Sequence, residues 1–181
     1  MVDASLVGQG SVAFPEVGHV GIAWTSKGIA RLWFGDDTLP GVRIYQRLPG
    51  EYGKPLRAYA AGKDVDLNDV PLDLHGTDFQ LAVWHALRRV PRGQLRTYAG
   101  IAADIDRPRA MRAVGSANAK NPVPIVVPCH RIVERGNPGS GSGYRIGGYS
   151  AGLDRKRALL ALEGVRFEGD RLFPGQLPLF D

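Results

Sequence analysis

Three prolines, at positions 122, 124 and 128, fence in the apolar run from Val123 to Val127. Each proline removes a backbone donor and restricts the residue before it, so a helix arriving at Asn121 has to stop there. Ile125-Val126-Val127 is nevertheless too apolar to leave in water, and the chain must bury it. No stretch approaches the roughly 18 apolar residues a membrane span needs. The N-terminus carries Asp3 and glycines where a secretion signal would be basic and then apolar. These features predict a cytoplasmic protein without a membrane partner. Hydrophobic residues at 44% and charged residues at 23% suit a globular core, and 181 residues allow one domain or two small ones.

Charge divides the chain unevenly. Residues 1–76 hold 7 basic and 9 acidic side chains; residues 77–181 hold 16 and 9. Of the 23 cations, 18 are arginine, whose planar fork suits phosphate and can stack on a base. A basic second half is compatible with a nucleic-acid partner and equally with a solvated face.

In the first half, Val20, Ile22 and Trp24 alternate, Ser26-Lys27-Gly28 reads as a turn, and Ile29–Phe34 reads as the returning strand. Residues 35–50 are broken by Pro40, Pro49 and Gly50. Tyr52–Ala61 suits a short helix, and Asp64–Leu74 a loop or edge strand. The second half opens with capping-box spacing at Thr77 and Gln80, followed by Phe79, Ala82, Val83, Ala86, Leu87 and Val90 on one helical face. Thr97 caps a short helix through Ile105. Pro108 suits a first helical position, and Met111, Val114 and Ala117 recur inward to about Ala119. Two short helices across a tight turn, the second carrying Arg109 and Arg112, form a helix-turn-helix pattern. Seven of the 17 residues from Gly136 to Gly152 are glycine, which predicts a mobile loop. Ser150 suits the cap of a last helix ending at Gly164. The tail, with Phe167, Leu172, Phe173, Leu177, Leu179 and Phe180, is apolar enough to pack back on the body.

Cys129 is the only cysteine, which excludes an internal disulfide and a multi-cysteine zinc site. A lone cysteine is usually a small buried hydrophobe. Here a proline precedes it, and His130 and Arg131 follow, supplying a base and positive charge to favour the thiolate. On an extended strand Cys129 and His130 would face opposite ways, so a base role needs a turn or a bridging water.

The run Asn121-Pro-Val-Pro-Ile-Val-Val-Pro-Cys-His-Arg-Ile-Val133 closely resembles the active-site segment of the O6-alkylguanine-DNA alkyltransferases. Phe79-Gln80, Val83-Trp84, Thr97-Tyr98, Arg112-Ala-Val-Gly115, and Tyr149-Ser150 through Lys156 to Glu163 occur in that family's order. The resemblance covers 77–164 strongly and 1–76 in outline. It implies an α+β fold: a small N-terminal antiparallel sheet with a helix over 1–76, ribonuclease H-like in the family. A mainly helical, winged-helix-like domain with the helix-turn-helix follows over 77–181, its family core 77–164 and its tail 165–181.

The implied activity is direct-reversal repair of DNA. A single-turnover methyltransferase moves the alkyl group of O6-alkylguanine, and of O4-alkylthymine, irreversibly to Cys129. The target nucleotide is flipped out of a duplex bound through its minor groove. His130 is then the base, acting through a water, and Glu163 orients it. Asn121 is the hinge before the active-site segment, and Tyr98 donates to the departing base. Ser150 contacts O6, and Tyr149 and Ile132 line the pocket. Arg112 is the finger that fills the stack, grouped with Thr97, Ala117 and Arg131 as DNA-facing residues. The resemblance implies no cofactor, no metal, and a monomer whose partner is double-stranded DNA containing O6-alkylguanine. His130 to Ser150 is a longer interval than the family pattern, and Ala151 stands where a second small glycine is common. The alternative reading is a non-catalytic binder of alkylated DNA, but in relatives of that kind the cysteine is replaced.

Overall fold

The computed structural model describes residues 5–135 and 143–172. The chain divides into two compact units, residues 1–75 with 122–126, and residues 76–121 with 127–181.

In the first unit, β1 (Gly8–Phe14), β2 (Gly18–Trp24) and β3 (Ile29–Phe34) form an antiparallel meander in the order β1-β2-β3. The β2–β3 hairpin is the one its alternation predicts, closed by Thr25 N–H donating to the Gly28 carbonyl at 2.9 Å. Position 28 has to be glycine, because a Cβ there would lie 2.5 Å from the Pro71 backbone. Strand β1 was not legible in the sequence, since its Gly-Gln-Gly-Ser start has poor strand propensity. Helix α1 (Gly50–Ala60) packs against this sheet through tilted ring pairs, Phe14 with Tyr59 at 6.1 Å and Trp24 with Tyr52 at 6.0 Å. Residues 122–126 group with this unit although the sequence around them belongs to the other. The Leu32 N–H of β3 donates to the Pro122 carbonyl at 2.9 Å, and Val123, Ile125 and Val126 are buried.

The second unit holds α2 (Asp78–Arg88), α3 (Tyr98–Asp104), α4 (Met111–Ala119) and α5 (Leu153–Leu162). Helix α2 begins with the expected capping box, Gln80 N–H donating to Thr77 and the Gln80 side chain accepting from Thr77 N–H. Trp84 Nε1 donates to the Ala117 carbonyl at 2.9 Å, tying α2 to α4. Between α3 and α4, Asp106 takes a φ of 57°, which a short polar side chain tolerates in a tight turn. Helix α4 starts at Met111, with Ala110 as its cap, so Pro108 lies in the turn and not at the first helical position. A small sheet, β4-β5-β6-β8-β7, completes the unit from β4 (Arg96–Thr97), β5 (Ile132–Arg135), β6 (Tyr144–Arg145), β7 (Phe167–Glu168) and β8 (Arg171–Leu172). Its core gathers Leu95, Val133, Ile146, Leu160, Val165 and Leu172, with Tyr144 and Phe167 packed against it. The tail therefore packs back as far as Leu172; Phe173, Leu177, Leu179 and Phe180 lie outside the described residues. So do residues 136–142 of the predicted loop. Gly152, at φ 96°, caps α5 with no side-chain bond, so Ser150 is not its cap. Among the described residues no helix is long and apolar enough to cross a membrane.

Candidate active site

Ile125 adopts a φ of 77°, a strained conformation for a β-branched side chain that costs about 1–3 kcal/mol. Four residues later the chain closes one 3₁₀ turn at Cys129–Arg131, with Arg131 N–H donating to the Pro128 carbonyl at 2.9 Å. The turn removes the alternation that would hold on a strand. His130 and Arg131, adjacent in sequence, both reach Glu163 at the end of α5. His130 Nε2 lies 3.0 Å from Oε1, while Arg131 donates from Nη2 to Oε1 at 2.7 Å and from Nε to Oε2 at 3.0 Å. Arg131 Nη1 also donates to the Val90 carbonyl at 2.6 Å, anchoring the turn to the end of α2. His130 Nδ1 is buried and makes no hydrogen bond to any described residue. With Nε2 donating to the carboxylate, Nδ1 carries the lone pair.

The electrostatics follow from burial. Burial pushes the Cys129 thiol up, and the Asn121 amide, the Tyr149 hydroxyl and the Lys156 charge pull it part of the way back. Burial pushes His130 down, against the opposing pull of Glu163, so the imidazole rests neutral. Burial alone would raise Glu163; the hydrogen bond with His130 and the charged Arg131 fork outweigh it and hold the carboxyl well below its usual range. Tyr98 is raised, first by burial and then by Glu134 and Cys129, so it keeps its proton at neutral pH.

Asn121 Nδ2 donates to the Val127 carbonyl at 2.7 Å, linking the end of α4 to the segment before the cysteine. The Cys129 sulfur lies 4.0 Å from the Tyr149 hydroxyl. Ser150 follows in an exposed turn. Ile132 is fully buried, and its carbonyl accepts from Lys156 Nζ. Arg112 is exposed on the outer side of α4. Three expected DNA-facing residues do not face outward. Arg131 is 7% exposed and its guanidinium is committed to Glu163 and Val90. Ala117 is buried, with its carbonyl held by Trp84. Thr97 is buried, its hydroxyl capping α3 by accepting from Gly100 N–H at 2.9 Å.

One residue escaped sequence reasoning. Lys156 on α5 is fully buried, and Nζ donates to the carbonyls of Ile132 and Ile146, each at 2.6 Å, and of Gly148 at 3.1 Å. Burial draws its pKa down to about 8. Only the ammonium form has three hydrogens for three carbonyls. A lysine in the first half of a surface-like helix gave no signal except its place in the family order.

Residues 78–165 match the family profile described as 6-O-methylguanine DNA methyltransferase, DNA binding domain. The methylated-DNA–protein-cysteine methyltransferase of Mycobacterium bovis is 48% identical over 126 residues, 70% of this chain and 68% of that protein. The chain belongs to the methylated-DNA–protein-cysteine methyltransferase family. The inducible methylated-DNA–protein-cysteine methyltransferase of Bacillus subtilis is 40% identical over 157 residues, 78% of this chain and 82% of its own. The fold agrees with that of Mycobacterium tuberculosis OGT solved in complex with DNA, at TM-score 0.74 and 38% identity over 87% of this chain and 92% of that one. The O6-methylguanine-DNA methyltransferase of Pyrococcus kodakaraensis superimposes at TM-score 0.64, with 28% identity over 87% of this chain and 99% of that one. A methyltransferase of this family needs an acceptor cysteine, and this chain has one.

Proposed function

We propose that this protein repairs O6-alkylguanine in duplex DNA by moving the alkyl group to Cys129. The observation that carries the reading is the only cysteine of a family member, buried and followed in the chain by a buried histidine whose Nε2 is held by the Glu163 carboxylate. The Cys129 proton passes through one water to His130 Nδ1, and Glu163 balances the imidazolium that forms. The thiolate attacks the alkyl carbon, the S–C bond forms, and the C–O6 bond breaks with its electron pair going to the base. Tyr98 donates a proton to the base as the bond breaks, leaving neutral guanine in the DNA, and His130 releases its proton to solvent, from which Tyr98 is reprotonated. Asn121 and the Lys156 ammonium face the thiol and favour its charged form.

A thioether is not hydrolysed under these conditions, so each molecule acts once. O4-alkylthymine presents the same alkyl–oxygen bond and is a second substrate. Arg112 occupies the gap left by the flipped nucleotide, Tyr149 and Ile132 shape the pocket, and Ser150 meets O6. The protein works as a monomer without cofactor or metal.

The test is incubation with a duplex containing O6-methylguanine, followed by intact mass and peptide mapping. The expected result is one methyl group per molecule, on the Cys129 peptide, and none on Cys129→Ser. Turnover beyond one equivalent, or methyl transfer by the serine variant, overturns the reading.

A further inference from the structure

Met111 begins the apolar stripe of α4, and spacing puts it inward with Val114 and Ala117. Val114 and Ala117 are buried, but Met111 is 49% exposed. It is the first residue of α4. Four large apolar side chains stand out in this way among the described residues, the others being Val7, Ile44 and Leu153. Met111 alone of the four sits beside Arg112 and is preceded by the exposed Arg107 and Arg109. It also lines a groove of about 420 Å³ with Tyr98, Arg112, Gly115, Glu134 and Arg135. Arg135 adds a cation to the lining and Glu134 the one carboxylate. A long, unbranched thioether amid arginines matches the combination by which proteins open a duplex from the minor groove. There the cations hold the phosphates and an apolar side chain enters between base steps.

We propose that Met111 is an apolar wedge that enters the minor groove of the duplex beside Arg112 and packs against the base pair bordering the flipped nucleotide. The inference rests on the flipping reading given above. Arg112 fills the vacated position with a planar cation. Met111 contributes no charge and no hydrogen bond, so its effect comes from unstacking. A phosphate contact in its place would strengthen binding to every duplex equally.

The experiment measures second-order transfer rates on an O6-methylguanine duplex and on the free methylated base. Variants are Met111→Ala, Met111→Leu, Met111→Lys and Arg112→Ala in the full chain, with a fluorescent base analogue beside the lesion reporting unstacking. Met111→Ala is expected to lower the duplex-to-free-base rate ratio about tenfold and to reduce the unstacking signal. Leucine restores both. Lysine does not, even though it tightens binding to unmodified duplex. A ratio for Met111→Ala within about twofold of wild type, beside a large fall for Arg112→Ala, overturns the wedge and leaves flipping intact. Wild-type repair by Met111→Lys overturns it as well. If Arg112→Ala shows no selective loss, the flipping reading fails and the wedge with it.

Discussion

The two units bury different things. Among the described residues, the first unit buries the polar side chains Gln9 and Thr25, and both serve loops. Gln9 Nε2 donates to the carbonyls of Leu39 and Val42 at 2.8 Å, and Thr25 pairs with Asp73 at 2.7 Å. The second buries Thr97, Asn118, His130, Arg131, Lys156 and Glu163. Four of those six are ionisable, and all four belong to the network around Cys129. Burying a charge is costly unless it is paired and hydrogen-bonded. A unit that keeps four such groups together is organised around a reaction, whereas the first unit's polar interior only ties down its own loops.

The network's charges also balance. Arg131 offsets Glu163, so moving a proton from Cys129 to His130 separates charge without creating any. The comparison is broken most severely by removing a member of the relay. His130→Ala or Glu163→Gln is expected to slow transfer about 10²–10⁴-fold, on duplex and free base alike. Equal substitutions at Gln9 should leave rates unchanged, and a rate effect there would erase the distinction between the units. Arg131→Met leaves the Glu163 charge buried with half its partners. It should cost about 3–5 kcal/mol of stability, read by denaturant unfolding. Were Arg131 a DNA contact, the same change would weaken binding and spare stability.

Alkylation of Cys129 adds bulk to a buried site. The alkylated protein should be less stable by about 1–3 kcal/mol, seen as a lower melting temperature after reaction with free methylated base. An unchanged or raised midpoint would contradict this.

Acid sharpens the comparison further. His130 is depressed below its ordinary 6.5 in the fold, so below that pH the unfolded chain takes the proton first and stability falls. Glu163 is depressed from its ordinary 4.5, so a second loss follows as pH drops past that value. The melting temperature should fall in these two stages, and His130→Gln should remove the first. The acid limb of the transfer rate should likewise lie below pH 6.5.

How much of this was legible in the sequence depended on range. Thr77 with Gln80, the β2–β3 hairpin and the α3–α4 pair are local patterns, and they formed where their spacing put them, except that α4 starts at Met111, past Pro108. Cys129-His130 stood out because both residues sit in one proline-fenced run. Arg131 buries its guanidinium against expectation because its acceptor Glu163 lies 32 residues away, and an arginine in a basic half normally stays in water. Lys156 escaped for the same reason, its acceptors lying 24, 10 and 8 residues back. The two-residue strands β4, β6, β7 and β8 carry too few residues for any period to show. Met111 kept its place in the helical stripe but not its burial, because periodicity reports direction along a helix and not where the neighbouring helices end.

If chemistry sits in the buried network and duplex opening on the outer side of α4, one set of rates separates them: wild type, Glu163→Gln and Arg112→Ala, each against an O6-methylguanine duplex and the free base. Glu163→Gln is expected to slow both substrates by the same factor, while Arg112→Ala slows the duplex alone. Equal slowing of both substrates by Arg112→Ala, or duplex-only slowing by Glu163→Gln, would contradict that placement.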